Sequence, residues 1–361
     1  MFWSSQLRRL SLAAAGSGLV LLSGMVFAAD PARAAGVARL TLINQWKPYR
    51  GSAVPSLLSY QGIVHLRGAI RSRSGGSAQP FQIPALYRPV KDVFVRTNLC
   101  DDVNGELDIA PDGSVSIKTE GGGGLGQAAC FTSLDGVSYA VDATGNGSTT
   151  LALQNSWVPY SDGDPNDPVA PAAYTIGNVV YLEGAMMSGA NGAAFTMPEN
   201  KRPQMTVYLP LDMGTTNPGQ LIIDPNGTVN VVSPFGFNLA QQMTSLDGAA
   251  YSLNTAGFTP LGLTPGWGGT TDTAEPAVRL VHGVVLFQGA MRSTTIGTST
   301  TAFYLPAGMV PKKTVHVPVT LCNGANGRLQ INTDGSVVVE AENDISNAFC
   351  MTSIEGASFH L

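Results

Sequence analysis

The amino-acid sequence predicts an all-β protein made of three tandem modules, each an antiparallel β-sandwich or jelly-roll-like unit. Three observations lead to this fold class: the 42 glycines and 23 prolines, the recurring Asp-Gly or Asn-Gly turns, and one order of motifs that occurs three times. Glycine and proline shorten helices and favour turns between strands. We assign residues 37–140, 149–252 and 260–361 to the first, second and third modules, which could pack with pseudo-threefold symmetry.

The first half of each module begins at a tryptophan. The three are Trp46, Trp157 and Trp267, and the first two open a W-x-P-Y phrase that ends at Tyr49 and Tyr160. An apolar run then ends in a Gly-Ala pair, at Gly68-Ala69, Gly184-Ala185 and Gly289-Ala290. A Phe-x-x-Pro phrase follows in every module, and the first two continue with Arg88-Pro89 and Arg202-Pro203. Landmarks that keep one order three times indicate an internal repeat.

The second half of each module contains a predicted hairpin and a closing phrase. The hairpin turns are Asp112-Gly113, Asn226-Gly227 and Asp334-Gly335. Apolar residues alternate beside them with the period of a half-buried strand, and both central residues of a tight hairpin turn need positive φ. The closing phrase is Ser-Leu-Asp-Gly or a near relative, at residues 133–136, 245–248 and 353–356. Its acidic residues are predicted to form turns because glycine follows each one: Asp135, Asp247 and Glu355.

The four cysteines occupy two positions of the repeat. Cys100 and Cys130 flank the first hairpin, and Cys322 and Cys350 stand at the matching places of the third module. The second module lacks both, with Met213 or Gly214 at the first position and Gln242 at the second. Because both cysteines are absent from the same module, we predict that they form bonded pairs in the other two, Cys100–Cys130 and Cys322–Cys350. Such disulfides suit an oxidising compartment. Free buried thiols are the alternative, and the lack of C-x-x-C spacing disfavours metal ligation.

The N-terminus has the pattern of a secretory signal peptide, assigned to residues 1–34. Arg8 and Arg9 precede an apolar run from Leu10 to Phe27, and small-residue cleavage sites follow. An uncleaved anchor is the alternative, and the paired arginines leave the export route open. We predict a bacterial protein that is secreted, displayed at the cell surface or held in the periplasm, with no membrane span after signal removal.

Charge and motif content argue against several classes of function. The net charge of −5 disfavours nucleic acid, whose binding proteins carry a basic stripe. None of the four histidines lies in a nucleophile motif, and no phosphate-binding loop occurs. We therefore predict a protein that is not an enzyme, with no catalytic residues, no cofactor and no metal. An enzyme whose site forms between modules is the alternative.

One acidic segment is a candidate calcium site. It places Asp162, Asp164, Asn166 and Asp167 within six residues, and hard oxygen ligands of this kind suit calcium. The segment lacks the central glycine and the terminal glutamate of an EF-hand loop, and the other modules have no equivalent. A turn is therefore the favoured interpretation.

Five aromatic residues at the start of the modules are candidates for ligand binding: Trp46, Tyr49, Trp157, Tyr160 and Trp267. They could form a platform on which sugar rings stack. Positions that recur in every repeat more often belong to a core, so packing is the favoured interpretation and ligand stacking the alternative.

The order of phrases resembles the C-terminal head modules of phage tail-fibre and receptor-binding proteins. Those modules run W-x-x-Y, G-x-V-x-L-x-G, Phe-x-Leu-Pro-x-x-x-Arg-Pro, a D-G hairpin and a closing S-L-D-G-I-x-F. The matching residues of the first module are Trp46 and Tyr49, Val64 to Gly68, Phe81 to Pro89, Asp112-Gly113, and Ser133 to Tyr139. The third module departs from the pattern because it lacks an arginine before Pro311 and a tyrosine after Trp267.

The resemblance implies β-sandwiches that assemble as trimers and bind host-surface glycans. An export signal and three copies in one chain are unlike a phage structural protein and point to a secreted bacterial relative, a monomer that forms a pseudo-trimer within one chain. The expected function is non-catalytic, adhesin-like binding of cell-surface or extracellular carbohydrate. The alternative is a structural component of the cell envelope or of an extracellular sheath.

Overall fold

The computed structural model describes residues 36–73, 76–141, 147–295 and 298–361. The predicted signal peptide, residues 1–34, and residues 142–146 between the first and second modules lie outside the described residues. Strands dominate the regular structure, which confirms the all-β fold class. Within these ranges no helix is long and apolar enough to cross a membrane.

The strands follow one another in the same order in each module. Those of the first module are β1 (Gly36–Arg39), β2 (Lys47–Pro48), β3 (Ser56–Tyr60), β4 (Ile63–Arg67), β5 (Ala69–Arg71), β6 (Val93–Asn98), β7 (Asn104–Ile109), β8 (Val115–Thr119), β9 (Thr132–Ser133) and β10 (Ser138–Ala140). Those of the second are β11 (Thr149–Thr150), β12 (Val158–Pro159), β13 (Ala172–Ile176), β14 (Val179–Glu183), β15 (Ala185–Met187), β16 (Phe195–Thr196), β17 (Val207–Met213), β18 (Asn217–Ile223), β19 (Thr228–Val232), β20 (Thr244–Ser245) and β21 (Ala250–Ser252). Those of the third are β22 (Thr259–Pro260), β23 (Trp267–Gly269), β24 (Ala277–Val281), β25 (Val284–Gln288), β26 (Ala290–Ser293), β27 (Thr301–Tyr304), β28 (Val315–Leu321), β29 (Asn326–Ile331), β30 (Ser336–Ala341), β31 (Thr352–Ser353) and β32 (Ser358–His360).

Each module contains a four-stranded antiparallel sheet and a second, larger arrangement of strands. The four-stranded sheets have the orders β1-β3-β4-β10, β11-β13-β14-β21 and β22-β24-β25-β32. The second and third modules each add a seven-stranded sheet, β12-β15-β20-β17-β18-β19-β16 and β23-β26-β31-β28-β29-β30-β27. The first module divides the same order into β2-β5-β9 and β6-β7-β8, which an isolated bridge from Leu99 to Thr132 connects.

Every module has its own hydrophobic core. Three large clusters of buried apolar side chains each draw their residues from one module only. A small fourth cluster, formed by Phe94, Ala185 and Met243, joins the first module to the second. The alternation that predicted half-buried strands is present in β8, where Val115 and Ile117 are buried and Ser116 and Lys118 are not. Each module therefore removes its own apolar surface from water, which is the main favourable term in folding.

Three short helices lie among the strands of this all-β fold. They are α1 (Gly126–Cys130), α2 (Phe237–Gln242) and α3 (Ile345–Cys350). A helix of five or six residues is too short to show a 3.6-residue period, so its sequence carries no helical signal. Single 3-10 turns lie at Ala85–Tyr87, Cys100–Asp102, Glu120–Gly122, Glu199–Lys201 and Cys322–Gly324.

Both predicted disulfides are confirmed. Cys100 pairs with Cys130 and Cys322 with Cys350, each with a Cα–Cα distance of 5.7 Å. In the second module the corresponding residues are Gly214 and Gln242, because a Cβ on Gly214 would lie 2.6 Å from the Cβ of Gln242. The structure thus selects Gly214 over Met213 as the residue that replaces the first cysteine.

The hairpin turns differ from the predicted two-residue type. Only the glycine of each turn has positive φ, for example 87° at Gly113, and the N–H of Gly113 donates to the carbonyl of Ala110. This is a three-residue connection with a left-handed glycine at its end. The arginine of the Arg-Pro phrase supports the turn, since Arg88 Nε donates to the carbonyl of Ile83 and a Cβ on Gly113 would lie 2.5 Å from that nitrogen.

The closing phrases join the three modules in cyclic order. In each phrase the serine hydroxyl donates to a backbone carbonyl of a neighbouring module. The pairs are Ser133 to His316 at 2.7 Å, Ser245 to Phe94 at 2.6 Å and Ser353 to Tyr208 at 2.6 Å. The first module thus bonds to the third, the second to the first and the third to the second. The equivalent strands β6, β17 and β28 also contact one another, so each module touches both of the others.

The acidic residues of the closing phrases do more than form turns. Each carboxylate accepts a hydrogen bond from the N–H of the Gly-Ala glycine in its own module. The pairs are Asp135 with Gly68, Asp247 with Gly184 and Glu355 with Gly289. Two of the carboxylates also reach a neighbouring module: Asp247 accepts from the N–H of Phe94 and Glu355 from that of Ser252.

Candidate ligand grooves between the modules

The three tryptophans are packed in the hydrophobic cores of their modules. Trp46, Trp157 and Trp267 are 4%, 3% and 6% exposed. The indole N–H of Trp46 donates to the carbonyl of Ser77, and that of Trp267 to Ser299. This burial favours the packing interpretation, because the protein itself covers most of each indole.

The two tyrosines of the W-x-P-Y phrases lie at the module boundaries. Tyr49 is 36% exposed and packs edge-on against Phe131, with ring centroids 4.9 Å apart. Tyr160 is partly buried and packs edge-on against Phe94 of the first module at 6.1 Å. Both tyrosines thus remain accessible in part, and Tyr160 bridges two modules.

The acidic segment of the second module is a turn stabilised by its own side chains. Asp162 accepts from the N–H of Asp164, Asp164 from that of Asn166, and Asp167 from the hydroxyl of Ser161. The first two are Asx-type turn contacts, and the third closes the segment between two side chains. No group of three or more His, Cys, Asp or Glu in the described part of the chain is placed to hold a metal ion.

The first groove lies between the first and second modules and has a volume of about 220 Å³. Its lining residues are Phe94, Glu106, Lys118, Tyr160, Gly214, Thr215, Thr216, Gln242 and Met243. Lys118 spans the wall of the groove, with its Nζ 2.8 Å from Glu106 and 3.1 Å from Asp108. The charge of this lysine is therefore largely matched within the protein.

The second groove lies between the second and third modules and is larger, at about 360 Å³. Its lining residues are Tyr208, Gln220, Ile222, Val232, Thr270, Thr271, Asp272, Arg292, Cys322, Asn323, Cys350 and Met351. The phenol of Tyr208 donates to Asp272 at 2.6 Å. Burial, together with this hydrogen bond, raises the pKa of Tyr208 above its usual range, so the phenol keeps its proton at neutral pH.

The two grooves are equivalent positions of the repeat. Glu106 of β7 lies opposite Lys118 of β8 in the first module. At the same position of the second module, Gln220 of β18 lies opposite Val232 of β19. Further equivalent pairs across the two grooves are Phe94 and Tyr208, Gly214 and Cys322, Gln242 and Cys350, and Met243 and Met351. Equivalent residues of two neighbouring modules therefore form both grooves. The second groove is the larger of the two, and it has Val232 where the first has Lys118.

Side chains fill the corresponding place between the third and first modules. The ring of Phe131 contacts Tyr49 on one side and His316 on the other, at 4.9 and 5.0 Å. The guanidinium of Arg328 lies 5.9 Å from the same ring. Burial lowers the pKa of His316 to about 4, so this imidazole is neutral at physiological pH.

The second groove offers a mixed set of polar groups beside one aromatic ring. Its walls carry the hydroxyls of Tyr208 and Thr271, the carboxylate of Asp272, the guanidinium of Arg292 and the amide of Asn323. Donors and acceptors in this density, beside an aromatic residue, suit a polyhydroxylated ligand. Comparison with protein-family models, curated proteins and solved structures finds no match to this chain.

Of the five aromatic ligand candidates, Tyr160 alone lines one of these two grooves. The sequence did not identify the grooves themselves, because their lining residues come from different modules and meet only through packing. One sequence signal could have found them: Phe94, Tyr208 and His316 are three ring side chains at one repeat position, directly after the first valine of β6, β17 and β28.

Proposed function

We propose that this chain is a secreted, non-catalytic, adhesin-like binding protein that recognises cell-surface or extracellular carbohydrate through the grooves between its modules. The observation that carries this proposal is the second groove, which combines a volume of about 360 Å³ with the polar side chains described above. That volume lies within the range of ligand pockets, roughly 300–1,000 Å³.

Export is part of the proposal and has two independent supports. The signal-peptide pattern of residues 1–34 is one, and the two disulfides are the other, since such bonds persist in oxidising compartments. The resemblance to tail-fibre head modules adds a reason for three copies. Where such heads use three subunits, a single chain here supplies three modules with contacts in cyclic order.

Replacing Tyr208 by alanine should weaken carbohydrate binding about tenfold or more, because a ring contact and a hydroxyl are lost together, at roughly 1–3 kcal/mol in total. The measurement is a glycan array with the wild-type chain, followed by calorimetry with the best ligand. The matched control is Tyr304→Ala, since Tyr304 is 57% exposed and lines neither groove.

Arg292→Ala provides a second variant at the same groove, where the side chain is exposed and its loss should leave folding intact. Wild-type affinity in both groove variants would contradict the proposed site. Absence of any glycan binding, combined with filaments or lattices in electron micrographs, would instead support the alternative of an envelope or sheath component.

A further inference from the structure

A cavity of about 50 Å³ lies where one hairpin of each module meets the other two. The hairpins are β3–β4, β13–β14 and β24–β25, which belong to the four-stranded sheets. Ile63, Val179 and Val284 are the first residues of β4, β14 and β25, and all three line the cavity. Equivalent positions of the three modules therefore enclose one space, which we call the three-module cavity.

Aromatic contacts hold two tyrosines in the wall of this cavity. The ring of Tyr60 in the first module stacks on the imidazole of His282 in the third, with ring centroids 4.0 Å apart. Tyr181 of the second module stacks on Tyr174 of the same module at 5.5 Å. Both rings are therefore fixed in place by neighbours on the protein side.

Four lining side chains carry polar groups, and each of them can donate a hydrogen bond. They are Tyr60, His65, Tyr181 and Arg279, and the other lining residues are aliphatic. Among the residues that the structure describes, the two phenols and the imidazole of His65 make no hydrogen bond. Donors from all three modules thus meet at one cavity without protein acceptors.

Arg279 brings a positive charge to the cavity. Its Nη1 donates to the carbonyl of Ala256 at 3.4 Å, and its Cζ lies 4.7 Å from the ring of Phe258. Its Nε is buried without a hydrogen-bond partner. An arginine can donate through Nε and Nη2 side by side to the two oxygens of a carboxylate, so the remaining edge of this guanidinium suits such a group.

The other lining residues bring no charge that would oppose an anion. His65 is 8% exposed, and burial together with the neighbouring His360 lowers the pKa of His65 to about 4, so it is neutral at physiological pH. Burial raises the pKa of Tyr181 to about 12, so its phenol remains a donor. All the lining residues are described, and no carboxylate is among them. A guanidinium and three neutral donors therefore favour an anionic ligand.

The volume of the cavity limits the size of this anion. One water-sized group needs roughly 10–15 Å³ of such space, so about 50 Å³ has room for roughly three to five of them. Formate and acetate fall within this range, whereas a sugar ring exceeds it. The aliphatic part of the lining suits the methyl group of acetate.

We propose that the three-module cavity binds a small organic carboxylate of the size of acetate, with its oxygens at Arg279 and Tyr181 and its alkyl part against the aliphatic residues. Such a ligand contacts all three modules, so its binding stabilises their packing. The site is separate from the two grooves, because it shares no lining residue with either of them.

The test compares the urea midpoint of unfolding in sodium acetate and in sodium chloride, at equal concentration and neutral pH. A ligand that binds the folded state alone raises this midpoint. We expect a higher midpoint in acetate than in chloride for the wild type and no such difference for Arg279→Gln. The matched control is Arg39→Gln, which removes an exposed arginine of β1 that does not line the cavity and should keep the difference.

Saturation-transfer NMR on the methyl group of acetate measures the binding itself. Loss of the charged donor in Arg279→Gln should weaken acetate binding roughly tenfold or more. Equal midpoints of the wild type in the two salts would overturn the proposal. A difference that Arg279→Gln retains would also overturn it, because the effect of acetate would then come from elsewhere on the protein.

Tyr181→Phe replaces Arg279→Gln if the latter fails to fold, since it removes one hydroxyl and keeps the ring. We expect acetate binding to weaken roughly fivefold in this variant. Wild-type affinity for acetate in Tyr181→Phe would then contradict the site. No carbohydrate enters these measurements, so their failure leaves the proposed function of the grooves standing.

Discussion

Replacing Gly356 by alanine should lower the free energy of unfolding by about 3–5 kcal/mol, the largest effect we expect from a single added methyl group. Gly356 closes the third module and packs on the backbone of the second. Its φ is 72°, and a Cβ there would lie 1.9 Å from the carbonyl oxygen of Ala250. Backbone cannot move aside as a flexible side chain can, so the contact between the two modules must open.

The matched control for this variant is Gly177→Ala. Gly177 also has positive φ, 58°, but a Cβ there meets nothing within 4 Å. That change should cost only about 1 kcal/mol, the usual conformational cost of alanine at positive φ. Urea unfolding of both variants measures the difference. Similar losses in the two variants would mean that the close approach of the third module to the second does not exist in solution.

Replacing Glu355 by alanine should lower the free energy of unfolding by about 2–5 kcal/mol at about pH 6, because two buried N–H groups lose their acceptor. The carboxyl group accepts from Gly289 at 2.7 Å within the third module and from Ser252 at 2.8 Å in the second. Its side chain is 3% exposed, so water does not reach these donors without rearrangement.

The penalty of Glu355→Ala should shrink as the pH rises through about 7. Burial raises the pKa of Glu355 to about 7, so the wild type loses stability on ionisation whereas the alanine variant has nothing to ionise. Asp135→Ala is the comparison, because the Asp135 carboxylate accepts from Gly68 within its own module. A penalty for Glu355→Ala that is smaller than that of Asp135→Ala would contradict the bridging role of Glu355.

Local chemistry made much of the fold predictable from the sequence. The hairpin glycines and the Gly-Ala glycines all have positive φ, and at Gly184 a Cβ would lie 2.2 Å from the carbonyl oxygen of Val169. Only glycine fits such a position, so it recurs in every module and marks the repeat. The disulfides were predictable because the second module lacks both of the cysteines that the first and third modules have.

Contacts between modules were not predictable in the same way. The acidic residue of the closing phrase looked like a turn former because its partner glycine is 67 residues away in the chain, for Asp135 and Gly68. The grooves combine side chains of two modules, and a repeat pattern does not state which faces meet. Tyr208 and Asp272 are 64 residues apart and carry no shared motif. The repeat therefore predicted the order of strands in each module but not the grooves between modules.

The cyclic packing of three modules in one chain is the central claim, and small-angle X-ray scattering of the chain without residues 1–34 tests it most directly. Three modules closed about one axis predict a globular particle with a radius of gyration of roughly 20 Å. A radius of about 30 Å or more, with an elongated distance distribution, would indicate modules strung out along the chain and would contradict the account.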